Sequence, residues 1–211
     1  MDGVTTLFYL IVLFLSVTIH EVSHGVVALA LGDRTAKEAG RLTLNPLKHL
    51  DPFGSLLLPL ILILFKSPFL FAWAKPVPYN PYNLKNPRKG AALIAAAGPL
   101  SNILLALAFG ILLRVVVPFF PVASVLNLIA FMNIVILLNI VLAVFNLVPI
   151  PPLDGSRILA LILGNRAIGF QRALEQYGFV ILLFFIFFAM DILFPIIRAL
   201  YHAFAGPYAF F

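Results

Sequence analysis

His20-Glu21-Val22-Ser23-His24 sets two imidazoles four residues apart with an acid beside the first. On a helix that spacing puts both rings on one face, where they can share a zinc ion at about 2.0–2.1 Å. Glu21 falls on the adjoining face, in reach of a proton on water that such a metal polarises. Chance would be the ordinary account of so short a motif. The surroundings of these three residues argue against it: Val4–Leu31 is otherwise uncharged, and no Lys or Arg precedes Arg34. An ionisable group at membrane depth costs roughly 2.5–3.5 kcal/mol on insertion scales. Three within five residues therefore need partners, water or a metal.

A catalytic zinc usually takes three protein ligands and keeps one position open. The carboxylates on offer are Asp33, Glu38 and Asp51 after the first apolar run, Glu175 and Asp191 near the last, and Asp154. Asp154 closes the stretch Asn146-Leu147-Val148-Pro149-Ile150-Pro151-Pro152-Leu153-Asp154-Gly155. Its prolines stop a helix and Gly155 permits a tight turn, so a carboxylate can re-enter the membrane at a broken backbone. His49 reads as a loop residue at the membrane surface and His202 as structural. Asp191, inside an apolar run, is a functional candidate by default, set against snorkelling or a hydrogen bond within the bundle.

The elements that position these residues follow from composition. Of 211 residues, 63% are hydrophobic and 10% charged, against about 25% charged in soluble domains. Mean hydropathy is +1.09. Together these exclude a soluble globular domain, a disordered chain and a nucleic-acid-binding module. The net charge of +6 is spread between long uncharged runs and reports membrane orientation rather than phosphate affinity. There is no cysteine, hence no disulfide and no thiolate ligand.

A membrane span needs about 20 mostly apolar residues. Four segments qualify: Val4–Leu31, Ala91–Val117, Val122–Val148 and Gln176–Ile197. The first is too long for a signal-peptide core and is expected to stay as a transmembrane helix. Residues 55–74 are apolar but short and interrupted by Pro59, Lys66 and Pro68, which predicts a re-entrant element. With that element returning to its own side, 12 of the 14 Lys and Arg share one face, and only Arg114 and Arg198 face the other. Positive-inside asymmetry then places both termini outside and the basic loops in the cytoplasm. It also brings the inner end of the third span, with Asp154, to the depth of His20 and His24. Arg41–Asn45 alternates, and Ala74–Tyr79 is held extended by Pro76 and Pro78, so both carry edge-strand character. The expected architecture is an all-α polytopic membrane protein. It has about four full spans, a re-entrant apolar element and minor strand content in the cytoplasmic loops, with residues 1–211 as one domain.

These residues resemble the site-2 protease family of intramembrane zinc metalloproteases. The likeness rests on the H-E-x-x-H of the first span and the N-x-x-P-x-P-x-L-D-G pattern after the third. Phe71-Ala72-Trp73-Ala74-Lys75-Pro76-Val77-Pro78 and Ala97-Gly98-Pro99-Leu100-Ser101-Asn102 extend it over nearly the whole chain. One departure is Pro152, an extra proline before Leu153. The resemblance implies zinc on His20, His24 and Asp154, with Glu21 as general base. It implies Asn102 and Asn146 beside the substrate, and as substrates the transmembrane segments of other membrane proteins. It suggests a minimal form without PDZ or CBS domain, in a prokaryotic plasma membrane with its site toward the cytoplasm. The alternative, a metal or ion transporter built on the same His and Asp groups, predicts polar residues repeated along several helices. Here they gather at one depth.

Overall fold

The computed structural model describes residues 3–57, 61, 64–65, 74–164 and 168–210. Four helices among them are long and apolar enough to cross a membrane. Helix α1 spans Gly3–Ala30, α2 Pro87–Val116 and α3 Leu126–Asn146. A short helix α4, Gly155–Leu163, follows, then α5, Ile168–Phe188, and α6, Phe194–Ala205.

The register between α1 and α3 can be read from three contacts. The Phe8 and Phe131 rings lie 4.4 Å apart, Val12 packs with Val135, and Ser16 Oγ accepts from Asn139 Nδ2 at 2.9 Å. Each pair advances four residues on both helices, so α1 and α3 run parallel with their i, i+4 ridges in contact. His20 and His24 continue the same stripe of α1. Helix α2 runs the other way: Asn102 meets His20, whereas Ile94, eight residues earlier, meets His24. Helix α3 is the most deeply packed, burying Ile136, Asn139, Ile140 and Ala143 completely.

Prolines set most boundaries. Pro87 opens α2 where its missing N–H costs nothing, and the Asn86 side chain caps Lys89 N. Pro118 and Pro121 confine the α2–α3 link to two short 3₁₀ turns. The fourth span departs from expectation. Gln176–Ile197 is not one helix: α5 begins at Ile168 and ends at Phe188, a 3₁₀ turn covers Met190–Leu193, and α6 restarts the chain. Pro195 explains the restart, since proline is tolerated in the first helical turn and not in a helix interior. Asp191 therefore lies in the break, exposed, and not inside a span.

The expected strand content shrinks to one antiparallel bridge, Leu50–Ala74, among the described residues. The two extended segments do meet, but through a side chain: Arg41 Nη2 donates to the carbonyls of Lys75 and Pro76. Pro76 and Pro78 cannot donate to a ladder, so no strand propagates. Most of the predicted re-entrant element lies outside the described residues. Its flanks, however, are neighbours, with Lys75 N donating to His49 O at 2.8 Å. His49 in this loop region is buried within the protein, its Nε2 2.9 Å from Thr43 O.

Asp33 clasps the loops beneath α1 and α2. It is fully buried, with Oδ1 accepting from Thr35 N, Thr35 Oγ1 and Asn83 Nδ2, and Oδ2 from Asn80 N. Burial pushes its carboxyl up, but these donors outweigh burial and hold it below the ordinary value. A depressed carboxylate contributes stability above its unfolded value, and that stability is lost as pH falls through the folded one. Asp33→Asn should therefore cost about 1.5–3 kcal/mol at neutral pH, the worth of bonds to a charged acceptor. The gap from wild type in detergent unfolding scans should narrow below about pH 4. A pH-independent gap would show that the ionised form is not what holds the loops.

Candidate active site

His20 and His24 project from α1 with ring centroids 4.7 Å apart and planes at 87°. Each is held by its Nδ1. His24 Nδ1 donates to the Ile94 carbonyl at 2.6 Å, and His20 Nδ1 lies 2.6 Å from Asn102 Oδ1. The Nε2 atoms turn toward one carboxylate oxygen, Asp154 Oδ2, at 3.1 Å from His20 and 3.3 Å from His24. Of the carboxylates available from sequence, this is the one in contact with both rings. Asp33 is spent on its loops, Asp51 caps Phe53 and Gly54, and Glu175 sits 3.9 Å from Arg157. Asp191 lines a separate cavity with Arg198 and His202.

Asp154 arrives there because α3 stops at Asn146 and the proline-rich turn folds back on itself. Ile150 N bonds Val148 O and Leu153 N bonds Ile150 O, both at 2.9 Å. Gly155 is required by contact: a Cβ there would stand 2.2 Å from the Leu147 carbonyl oxygen. Leu153 anchors the turn in the main apolar core.

The carboxylate of Glu21 accepts from Val77 N at 2.9 Å, which fixes the acid against the extended segment. Ligand atoms of His20, Glu21 and His24 all fall within 4.8 Å of one another. They border a cavity of about 270 Å³ that also meets Val77, Tyr79, Asn146, Asp154 and Arg157. Asn146 is half-buried at its wall, donating to Leu142 O at 2.9 Å. Asn102 is placed differently. It is fully buried behind His20, its carboxamide committed to that ring and to Asn139. Sequence reasoning missed Asn139, whose only signal is an amide in an apolar run. It also missed the roles of Ile94 O and Val77 N–H, which carry no side-chain signature.

Two imidazole nitrogens and one carboxylate oxygen are the donor set that zinc takes in metallopeptidases. The convergence of both Nε2 atoms on Asp154 Oδ2 fits it. The fold and this cluster define a polytopic helical membrane protein with a zinc-type donor set sunk between its spans.

Comparison with known proteins narrows the class to a family. The model for peptidase family M50 matches residues 121–189. YwhC of Bacillus subtilis, named as a candidate zinc metalloprotease, is 43% identical over 180 residues, or 83% of this chain and 78% of its own. Rip2 of Mycolicibacterium smegmatis, named likewise, is 33% identical over 172 residues, covering 79% of this chain and 61% of the relative. The zinc metalloprotease MJ0392 of Methanocaldococcus jannaschii is 30% identical over 156 residues, 74% of this chain and 34% of the relative. The chain thus spans only part of the longer relatives. No solved structure matches it. The chain belongs to peptidase family M50, the site-2 protease family, and is a membrane zinc metalloprotease.

Gly98 of α2 faces both rings: a Cβ would stand 2.5 Å from His20 Nε2 and 2.6 Å from His24 Cε1. In an unconstrained helix Gly→Ala gains about 0.5–1 kcal/mol. Here overpacking, typically 1–3 kcal/mol, should reverse the sign. Gly98→Ala is expected to weaken zinc binding at least about 10-fold, the equivalent of ~1.4 kcal/mol. Titration against a chromogenic chelator measures this, and wild-type affinity would show that the rings do not depend on that approach.

Proposed function

We propose that this protein is an intramembrane zinc endopeptidase that cuts substrate proteins in or near their transmembrane segments, as in regulated intramembrane proteolysis. In this reading His20, His24 and Asp154 hold the metal, Glu21 is the general base, and residues 1–211 act as one membrane-embedded domain. The observation that carries it is the meeting of both Nε2 atoms and Asp154 Oδ2 on one wall of a cavity that Glu21 also lines.

Zinc, when bound there, polarises water and the scissile carbonyl. Glu21 takes the proton from the attacking water as the C–O bond forms. It returns that proton to the amide nitrogen as the C–N bond breaks. Val77 N–H, holding one carboxylate oxygen, leaves the other to do this. Asn146 at the cavity wall is suited to a substrate carbonyl, whereas Asn102 serves the site from behind His20. A helical substrate hides its carbonyls and must unwind, and Val77 and Tyr79 of the extended segment border the cavity where the unwound chain would lie.

Glu21 is not needed as a ligand, since three protein ligands and an open position complete the zinc. Glu21→Gln should keep zinc and thermal stability while cleavage of a co-expressed single-span substrate falls 100-fold to 10,000-fold. Near-wild-type cleavage would assign the proton transfer elsewhere.

We place the site toward the cytoplasm, on the positive-inside asymmetry. Because Asp33 ties its loop to Asn80 and Asn83, single thiols at Lys37 and Lys85 should label from the same, cytoplasmic, side. Labelling of both from the outer face would sink this orientation, and labelling from opposite faces would sink the re-entrant reading of residues 55–74.

A further inference from the structure

We infer that Asn139 of α3 sets the tautomer of His20, acting through Asn102, so that His20 offers a lone pair and not an N–H to the metal. The inference rests on the metal site proposed above. Asn139 Nδ2 reaches the Val135 carbonyl at 2.9 Å and Ser16 Oγ at 2.9 Å. A carbonyl can only accept, so the amide of Asn139 is fixed with Oδ1 facing the other way. That oxygen takes Asn102 Nδ2 at 2.8 Å, and the same nitrogen faces the Ser16 carbonyl at 3.4 Å.

Asn102 must then present Oδ1 to His20 Nδ1, 2.6 Å away. An amide oxygen cannot donate, so Nδ1 carries the proton. His20 Nε2 is left with its lone pair toward Asp154. The polarity thus starts at a backbone carbonyl and is handed across two amides and a ring.

A flipped Asn102 would put its NH₂ against Nδ1, drive the proton to Nε2 and turn an N–H on the metal position. The flip is blocked because it would set two amide oxygens, Asn102 Oδ1 and Asn139 Oδ1, face to face. Asn102 and Asn139 are fully buried and Ser16 is 4% exposed, so no solvent relieves a mismatch. Replacing Asn139 by an apolar residue removes the nearer of the two acceptors that orient Asn102 and leaves the Ser16 carbonyl, at 3.4 Å, as the other. Partners behind a metal-binding histidine are typically worth 10–100-fold in metal affinity.

If Asn139 merely glues three helices together, its loss would lower stability without passing through Asn102. A double-mutant cycle separates the two. Zinc affinity of the purified full-length protein is measured by chelator competition for wild type, His20→Ala, Asn139→Leu, Asn102→Leu and the double variant. Asn139→Leu is expected to weaken zinc about 10–100-fold, and to add nothing in the Asn102→Leu background. Equal losses in both backgrounds, or wild-type affinity in Asn139→Leu, overturn the inference. His20→Ala binding zinc as wild type does would instead overturn the metal-site reading. A second measurement needs no variant: ¹⁵N imidazole shifts of metal-stripped wild type at alkaline pH should show His20 protonated on Nδ1. Protonation on Nε2 overturns the inference.

Discussion

The His20 ring is held at Nδ1 by Asn102 and faces Asp154 at Nε2, and much of the structure is arranged to make that placement possible. It joins α1, α2 and the turn after α3, three elements far apart in sequence. Within a bilayer, helices are not driven together by burying apolar surface, because lipid is as apolar as leucine. What favours association is close packing and the cost of leaving polar groups unpaired. Here the costliest polar groups are also the ones that tie the spans together. Constancy of register along α1 and α3, from Phe8–Phe131 to Ser16–Asn139, delivers His20 to the same depth as the end of α3.

The loops on that side solve a related problem with charges rather than amides. Asp33 collects donors from residues 35, 80 and 83, and Arg41 donates to the carbonyls of Lys75 and Pro76. Pro76 and Pro78 strip the segment of N–H groups that a strand would use. Between them Val77 keeps its N–H, and that one goes to Glu21. Packing follows the same path, since Val77 and Leu42 crowd Gly25 one turn beyond Glu21. The acid and the extended segment beside it are therefore positioned by one set of loop contacts.

How much of this was legible in the sequence depends on whether the signal sits in a side chain. The two histidines declare a shared helix face by spacing alone, and the same stripe read backward gives Ser16, Val12 and Phe8. Asp154 was legible because prolines announce where α3 must end. Strand character in Ala74–Tyr79 was legible as extension but not as pairing, because the partner that met it was the Arg41 side chain. The fourth span was misplaced at both ends. The apolar window opens at Gln176, yet α5 starts at Ile168 because Arg172 and Glu175 lie without penalty on its exposed first turns, and Pro195 starts a new helix rather than lying inside one. Ile94 O and Val77 N–H had no sequence signal, since any residue supplies them.

Asn139 shows a subtler limit. An asparagine in an apolar run announces that it needs partners, but its value depends on which partners and in what order. Around His20 the polar groups divide into two populations. Behind the ring, Ser16, Asn102 and Asn139 are closed off from water, and each bond has a fixed direction. In front of it, Glu21, Asn146, Asp154 and Arg157 line the cavity, where water and substrate must be admitted. In the proposed mechanism hydrolysis demands both conditions at one metal. The ligand must keep a single tautomer, which a dry network enforces, while the reacting face must exchange protons, which a dry network would prevent. Placing the histidine ring at the boundary satisfies both, because its two nitrogens point to opposite sides of that boundary.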